Sequence, residues 1–414
     1  MTPFTVLRYL VGDRESILRL ARSRWTLAIG AALVLTASLA RNYDGKYLPG
    51  EGEAMLHGIV VSVGNSFLLF SIFYLLAMAK RSGGVRPPFG RGYLSFLGLF
   101  WLTSPMAWFY AVPYERFLPP VDAISANLWT LAIVSVWRVG LMTRVLSVLW
   151  QTRPVPTLLL VAFYGDALVF AAASLMEAPL MDFMGGLQHS PEDAHLAGVQ
   201  FSTVVLSTLA APVLLIAALI GLKWLKPIWS LARAAKDERP SRGLVAITVA
   251  AVLVWIPLLL YAQPQQANRF RAESLLRSGN VKEALAFMAG RKRAEFPPIW
   301  DPPPRTGYGE HIPDARAIRE GLLTLSPTDW PSPIYFRKHW RVALGDSYEW
   351  SMAPDRLAEH IDERGSPTDD QRSGLYFHIQ HDPGLSSSDR VALRRALDKF
   401  KALDESAFFE TPAK

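Results

Sequence analysis

The sequence predicts an all-α protein: a polytopic helical membrane domain of seven transmembrane helices, followed by a small helical soluble C-terminal domain. Three observations lead there. Long apolar runs recur up to about Ala262, and none follows. The mean hydropathy is +0.18. Half of the residues are hydrophobic and only 19% are charged, a balance tilted away from water-soluble chains. Basic residues gather between alternate apolar runs, as they do where a chain crosses a bilayer back and forth. The 414 residues divide into an N-terminal segment 1–24, a membrane domain 25–262 and an extracytoplasmic domain 263–414.

The formal net charge of +7 is not a nucleic-acid signal, because many basic residues flank apolar runs, where they orient the chain. No nucleic-acid partner is expected. Cysteine is absent, which excludes disulfides, iron–sulfur clusters, cysteine-based zinc sites and thiol catalysis. No cofactor is implied by any motif. Arginine outnumbers lysine, and alanine and proline are common, a composition expected of a bacterial, GC-rich genome.

Each element follows from its own residues. Segment 1–24 is basic with apolar interruptions, and Asp13 is placed to cap a helix running towards Trp25. It reads either as an amphipathic cytoplasmic segment on the membrane face or as a frayed basic terminus. The first apolar run, 25–40, is short, roughly 24 Å as a helix at ~1.5 Å per residue. Arg24 and Arg41 extend it by snorkelling. Its Ser38-Leu39-Ala40 end resembles a signal-peptidase site, but the long polar region before it favours a retained anchor. The second span is 56–79, with Asn65 near its middle, and the third is 93–114. Pro105 should kink the third, with Thr103 or Ser104 satisfying the freed backbone groups. Spans four and five, 128–150 and 156–176, carry Arg138 and Arg144, and Asp166. The sixth, 200–225, contains Pro212, and the seventh, 243–262, contains Pro257.

Orientation follows from the loops. Arg8, Arg14, Arg19, Arg22 and Arg24 precede span one, and Lys80, Arg81, Arg86 and Arg91 follow span two. Lys223, Lys226, Arg233, Lys236, Arg239 and Arg242 follow span six, while the link after span five holds only acidic charges. The alternation places the N-terminus in the cytoplasm and everything after Ala262 outside, in a plasma (inner) membrane. It also decides whether span four inserts. Two arginines cost roughly 2.5–3.5 kcal/mol each at a helix centre, while each Leu, Ile or Val returns about 0.3–0.6, a sum near zero. Removing the span would put the basic loop outside.

Charges inside a span are expensive and have a partner or a task. Arg138 lies ten residues past Leu128 and Asp166 ten past Pro156. Each is therefore about 15 Å deep, near the midplane of a ~30 Å core. The short link between the spans makes them antiparallel neighbours, so Arg138 and Asp166 are expected to pair or to share a hydrogen-bond network. Arg144 lies nearer the cytoplasm and can snorkel. Two readings stand: a packing pair, or a polar pathway joined by Asn65, Thr103 and Thr203. Tyr164-Gly165-Asp166 is similar to the Gly-Asp pattern of intramembrane aspartyl proteases, but no second carboxylate lies within a span.

After Ala262, residues 272–288 place small and large apolar residues at the spacing of a helical hairpin. The pattern resembles a tetratricopeptide-type pair without a second copy. The proline-rich stretch 296–313 reads as an extended strap with Trp300 and Tyr308 packed down. Further helices are expected at 314–325, 331–344, 354–364, 367–380 and 388–403. His378 and His381 share a helical face and are a weak metal candidate, but imidazoles at a helix end also meet free carbonyls, so no metal site is assigned. Gly345-Asp346-Ser347 reads as a turn. Walker, His-Glu-x-x-His, Gly-x-Ser-x-Gly and dinucleotide motifs are absent.

Ala40-Arg41-Asn42-Tyr43-Asp44-Gly45 and the 128–150 run resemble segments of uncharacterised bacterial multi-pass membrane proteins. The resemblance implies a polytopic membrane fold and carries no activity. With no catalytic constellation, the leading expectation is a non-enzymatic envelope interaction or scaffolding protein. Its partners are the lipid bilayer and a protein met by the outer domain. The alternatives are a transporter or channel built on the Arg138–Asp166 pair, with proline-kinked spans, and a membrane enzyme at the outer mouth.

Overall fold

A computed structural model describes residues 1–80, 88–175, 191–231 and 238–298, and, beyond these, 300, 302, 317, 321, 324–326, 329–332 and 334–335. The described residues form helices and no strands. By contacts the chain divides into two units, Met1–Gln263 and Pro264–Lys414.

The first unit begins with two short helices, α1 (Pro3–Leu10) and α2 (Arg14–Arg22), and continues through α3 (Trp25–Asn42), α4 (Glu53–Ala79) and α5 (Phe89–Trp101). A 3₁₀ helix, Ser104–Ala111, follows, then α6 (Pro120–Leu149), α7 (Pro154–Leu175), α8 (Pro191–Trp224), α9 (Arg242–Leu253) and α10 (Trp255–Arg277). Among the described residues, six helical stretches are long and apolar enough to cross a membrane, and α2 with α3, bent by 102°, would make a seventh.

Hydrogen bonds gather the helix termini into two ends. At the first end, the Met1 ammonium donates to the Arg239 carbonyl at 3.1 Å. Ser23 Oγ donates to the Glu238 carbonyl at 2.9 Å. Lys80 Nζ donates to the Leu222 carbonyl, and the Ile228 and Ser230 amides donate to Trp150 and Leu149, each at 2.8 Å. Beneath them Phe70, Phe89, Trp150 and Trp229 make an aromatic cluster, with Trp150 and Trp229 rings 4.8 Å apart. At the second end, Tyr43 donates to the Ala111 carbonyl at 3.0 Å. Arg116 pairs with Asp44 at 2.8 Å, and Gln263 Oε1 accepts from the Leu48 amide at 2.9 Å. Successive long helices therefore run alternately between these ends.

The N-terminal segment is neither frayed nor simply laid on a surface. Asp13 caps α2 as its position implied, accepting from the Ser16 amide at 2.9 Å. Tyr9, Ile17 and Leu20 are buried among residues of α4, α5 and α6. Burial of Tyr9 is tied to the break in the third span. Pro105 has no N–H to continue the helix, so α5 stops at Trp101 and Thr103 Oγ1 donates to the Phe100 carbonyl at 2.7 Å. The Thr103 amide also turns to Phe100, which leaves the Leu99 carbonyl without its helical partner. The Tyr9 hydroxyl donates to it at 2.6 Å. Close by, α3 and α5 cross through Gly30 and Gly98. A Cβ on Gly30 would lie 2.9 Å from Trp101 Cβ and one on Gly98 3.0 Å from the Leu27 amide nitrogen, so the contact requires two small residues.

In the second unit, the expected hairpin is present. α10 turns at Gly279 (φ +80°) into α11 (Val281–Ala289). Ala272, Leu276, Ala284, Leu285 and Met288 form its core with Phe296 and Trp300. The start of the strap packs down. Phe296 and Trp300 stack at 5.0 Å, while Arg293 donates to the carbonyls of Pro297, Pro298 and Trp300. Tyr308, the turn 345–347, most of the helices expected at 314–325 and 331–344, all of those at 354–364, 367–380 and 388–403, and both His378 and His381 lie outside the described residues.

Candidate functional site

The charged residues within α6 and α7 are the natural place to look. α6 starts with Pro120 at its first turn and runs unbroken for 30 residues. Arg138 sits eight residues beyond Thr130, whose hydroxyl meets Tyr114, and six before Arg144. Those steps are about 12 and 9 Å along the axis at ~1.5 Å per residue. Arg138 therefore lies well inside α6, away from both of its ends.

Its expected partner is elsewhere. Among the described residues no ion pair joins Arg138 to Asp166. Asp166 Oδ1 accepts from Ser207 Oγ of α8 at 2.6 Å, and its Oδ2 is buried with no hydrogen-bond partner. The reason is rotation about the helix axis. A Cβ on Gly165 would lie 3.8 Å from Val139, so Gly165 is the residue turned towards α6. Its neighbour Asp166 is turned a further ~100° around α7, onto α8.

Arg138 instead lies over the Phe100 ring, 5.4 Å from its centroid. It interacts electrostatically with the phenols of Tyr9 and Tyr110. Burial pushes the Tyr9 phenol far above its ordinary value, and the positive charge of Arg138 opposes that shift. Arg144 is exposed, near the turn between α1 and α2. Its Nε donates to the Gly12 carbonyl at 3.0 Å, across the turn between α1 and α2 where Gly12 has φ +80°.

The remaining polar candidates are dispersed. Thr103 bonds the Phe100 carbonyl of its own span, and Thr203 donates to Val199 at 2.8 Å. Asn65 offers its main-chain carbonyl to Tyr164 at 3.0 Å. None of the three joins Arg138 or Asp166. Nor do the described residues contain a group of three His, Cys, Asp or Glu able to hold a metal.

Sequence reasoning missed the groups that surround Arg138: Tyr9 arrives from a segment 129 positions away, and Phe100 and Tyr110 flank the α5 break. Pro105 was the only available signal, since a broken helix exposes carbonyls that some donor must meet. It also missed His195, whose Nε2 is 3.0 Å from Ser125 Oγ at the second end. That contact is a start for nucleophile activation, yet Ser125 also donates to its own helix at Val121, and no second hydrogen bond orients His195 among the described residues.

No family model matches the chain, and no curated protein or solved structure is detectably similar to it. What the fold defines by itself is a class: a membrane protein whose described residues are helical, with several helices long and apolar enough to span the bilayer.

Proposed function

We propose that the protein is a non-enzymatic interaction or scaffolding protein of a bacterial plasma membrane. It crosses the membrane seven times, with its N-terminus cytoplasmic and the unit after Gln263 outside, where it meets a protein partner. The orientation is supported by charge. Lys80, Arg91, Arg153, Lys223 and Arg242 belong to the same end as the four arginines of the N-terminal helices, and positive loops favour the cytoplasmic side. Seven crossings are supported by α3, whose 18 residues extend about 27 Å at ~1.5 Å per residue.

The observation that carries interaction over transport is the separation of Arg138 from Asp166. A pathway gathers polar groups around one space, whereas these face different neighbours, Asp166 against Ser207 and Arg138 over Phe100. In the outer unit, Arg293 holds the strap by three carbonyls, giving a rigid, proline-rich surface of the kind partners recognise.

The chain is free of cysteine, so introduced thiols can report directly. Intact cells treated with an impermeant maleimide should label Ser278→Cys, and should label Glu15→Cys only after permeabilisation. The reverse pattern would overturn the orientation. A photocrosslinker at Glu283 should trap one discrete protein in intact cells, and Arg293→Ala should abolish the trap. Solute flux in reconstituted vesicles that disappears in Asp166→Asn would establish transport instead.

A further inference from the structure

The α10–α11 hairpin of the second unit gives most of its arginines an acceptor. Arg269 pairs with Glu273 at 3.1 Å, and Arg277 with the same carboxylate at 3.4 Å. Arg293 is held by the carbonyls of the strap. Arg271 and Arg291 are treated differently. The Arg271 guanidinium lies over the Phe287 ring, 4.8 Å from its centroid, and that of Arg291 lies over the same ring at 3.8 Å. Among the described residues, every other ring in such a contact receives a single arginine. Neither Arg271 nor Arg291 has a carboxylate partner among the described residues. The one acceptor near them is the Phe287 carbonyl, which takes a bond from Arg291 Nη1 at 3.3 Å.

The ring that joins them is fixed in place. Phe287 meets Phe296 edge-on at 6.4 Å, and Phe296 stacks on Trp300 at 5.0 Å. Arg271 arrives from α10 and Arg291 from the turn after α11, so the two guanidinia are no farther apart than their two distances to the ring centre taken together. A ring face attracts a guanidinium but leaves its charge and most of its N–H donors unused. Two like charges held this close repel unless an anion lies between them. Glu283, one turn before Phe287 on α11, forms an ion pair with neither. The group is also open to solvent: Arg271 is exposed, and Arg291 and Phe287 are half-buried.

We propose that Arg271 and Arg291, seated together on Phe287, form a binding site for a phosphate group. A phosphate monoester carries about −1.5 to −2 charge at neutral pH, which matches two guanidinia, whereas a lone carboxylate would leave one of them uncompensated. The planar N–H forks also suit its several oxygens. A soluble phosphate and a phospholipid headgroup present the same oxygens to these donors. This inference does not rest on the scaffolding reading.

The test uses the full chain, delipidated in a neutral detergent, with binding followed by native mass spectrometry. The probes are inorganic phosphate and a short-chain phosphatidic acid, with the matching phosphatidylcholine as reference. Saturable binding of a phosphate probe is expected, about ten-fold weaker in Arg271→Gln and in Arg291→Gln. Arg271→Lys keeps the charge without the planar fork and should fall between. Arg277→Gln removes a charge already paired with Glu273 and should bind like the parent chain. Dependence of both probes on Arg271 and Arg291 would show that a free phosphate suffices, and dependence of phosphatidic acid alone would assign the site to a lipid headgroup. Arg271 is exposed, so its variant reads the site even if Arg291→Gln does not fold. Absence of binding by both probes, or binding that the folded Arg271 variant leaves unchanged or that Arg277→Gln weakens equally, would overturn the proposal.

Discussion

The two ends of the helical bundle are held together by different physics. At the first end the connections are made by backbone groups and rings: the buried Met1 ammonium on Arg239, the Trp150 and Leu149 carbonyls on the following loop, and the Trp150–Trp229 contact. Many of the arginines there stay at the surface, available to anionic headgroups. At the second end side-chain charges are matched locally, Arg116 with Asp44 and Lys46 with Glu51. The contrast teaches that net charge and cohesion are separate properties. The end with most positive charge is held largely by apolar packing and main-chain hydrogen bonds, with Glu238 the carboxylate that meets the Met1 ammonium and Arg19.

The largest effect should come from removing the packed tyrosine of the first end. Tyr9→Ala opens a cavity and strands the Leu99 carbonyl, and should destabilise the membrane unit by about 3–5 kcal/mol in thermal denaturation. Tyr9→Phe keeps the ring and loses only the hydroxyl, so about 1–3 kcal/mol is expected from the buried unmet acceptor. A loss no greater than that of a surface substitution would mean the N-terminal helices are not part of the core.

Effects at the second end should be smaller. A double-mutant cycle of Arg116→Gln and Asp44→Asn is expected to give a coupling of about 1 kcal/mol, since the pair is only partly shielded. Lys46→Ala should change stability by less than about 0.5 kcal/mol, with the difference vanishing at high salt, because that pair is exposed. Coupling at Lys46–Glu51 larger than at Arg116–Asp44 would contradict the ranking by burial.

The smallest expected effect lies at Asp13. Its hydrogen bonds from Ser16 hold the carboxyl below the ordinary carboxylate range. A lowered folded value means the contribution is present above the unfolded pKa and is lost as pH falls through the folded one. Asp13→Ala should therefore fray α2 at neutral pH and remove the acid-dependent part of the fraying, readable by amide exchange of Ser16. Identical exchange in the two proteins at neutral pH would show that the cap contributes nothing.

Much of this was legible one segment at a time. Local chemistry places the apolar runs, caps α2 with Asp13, stops α5 before Pro105 and turns the 272–288 hairpin at Gly279. Each depends on residues within a few positions, so a linear reading contains the cause.

The neighbours of Arg138 and Asp166 were not legible. Rotation of a helix about its axis is settled by the closest packing it can find, and here Gly165 against Val139 and Gly30 against Gly98 decide which faces meet. That turned Asp166 onto Ser207 and left Arg138 over Phe100 beside Tyr9 and Tyr110. The sequence by itself determined that long apolar helices recur, which of them carry charges and where the third apolar run breaks. Tertiary structure alone decided which charge finds a partner, because azimuth depends on contacts between residues far apart in the chain.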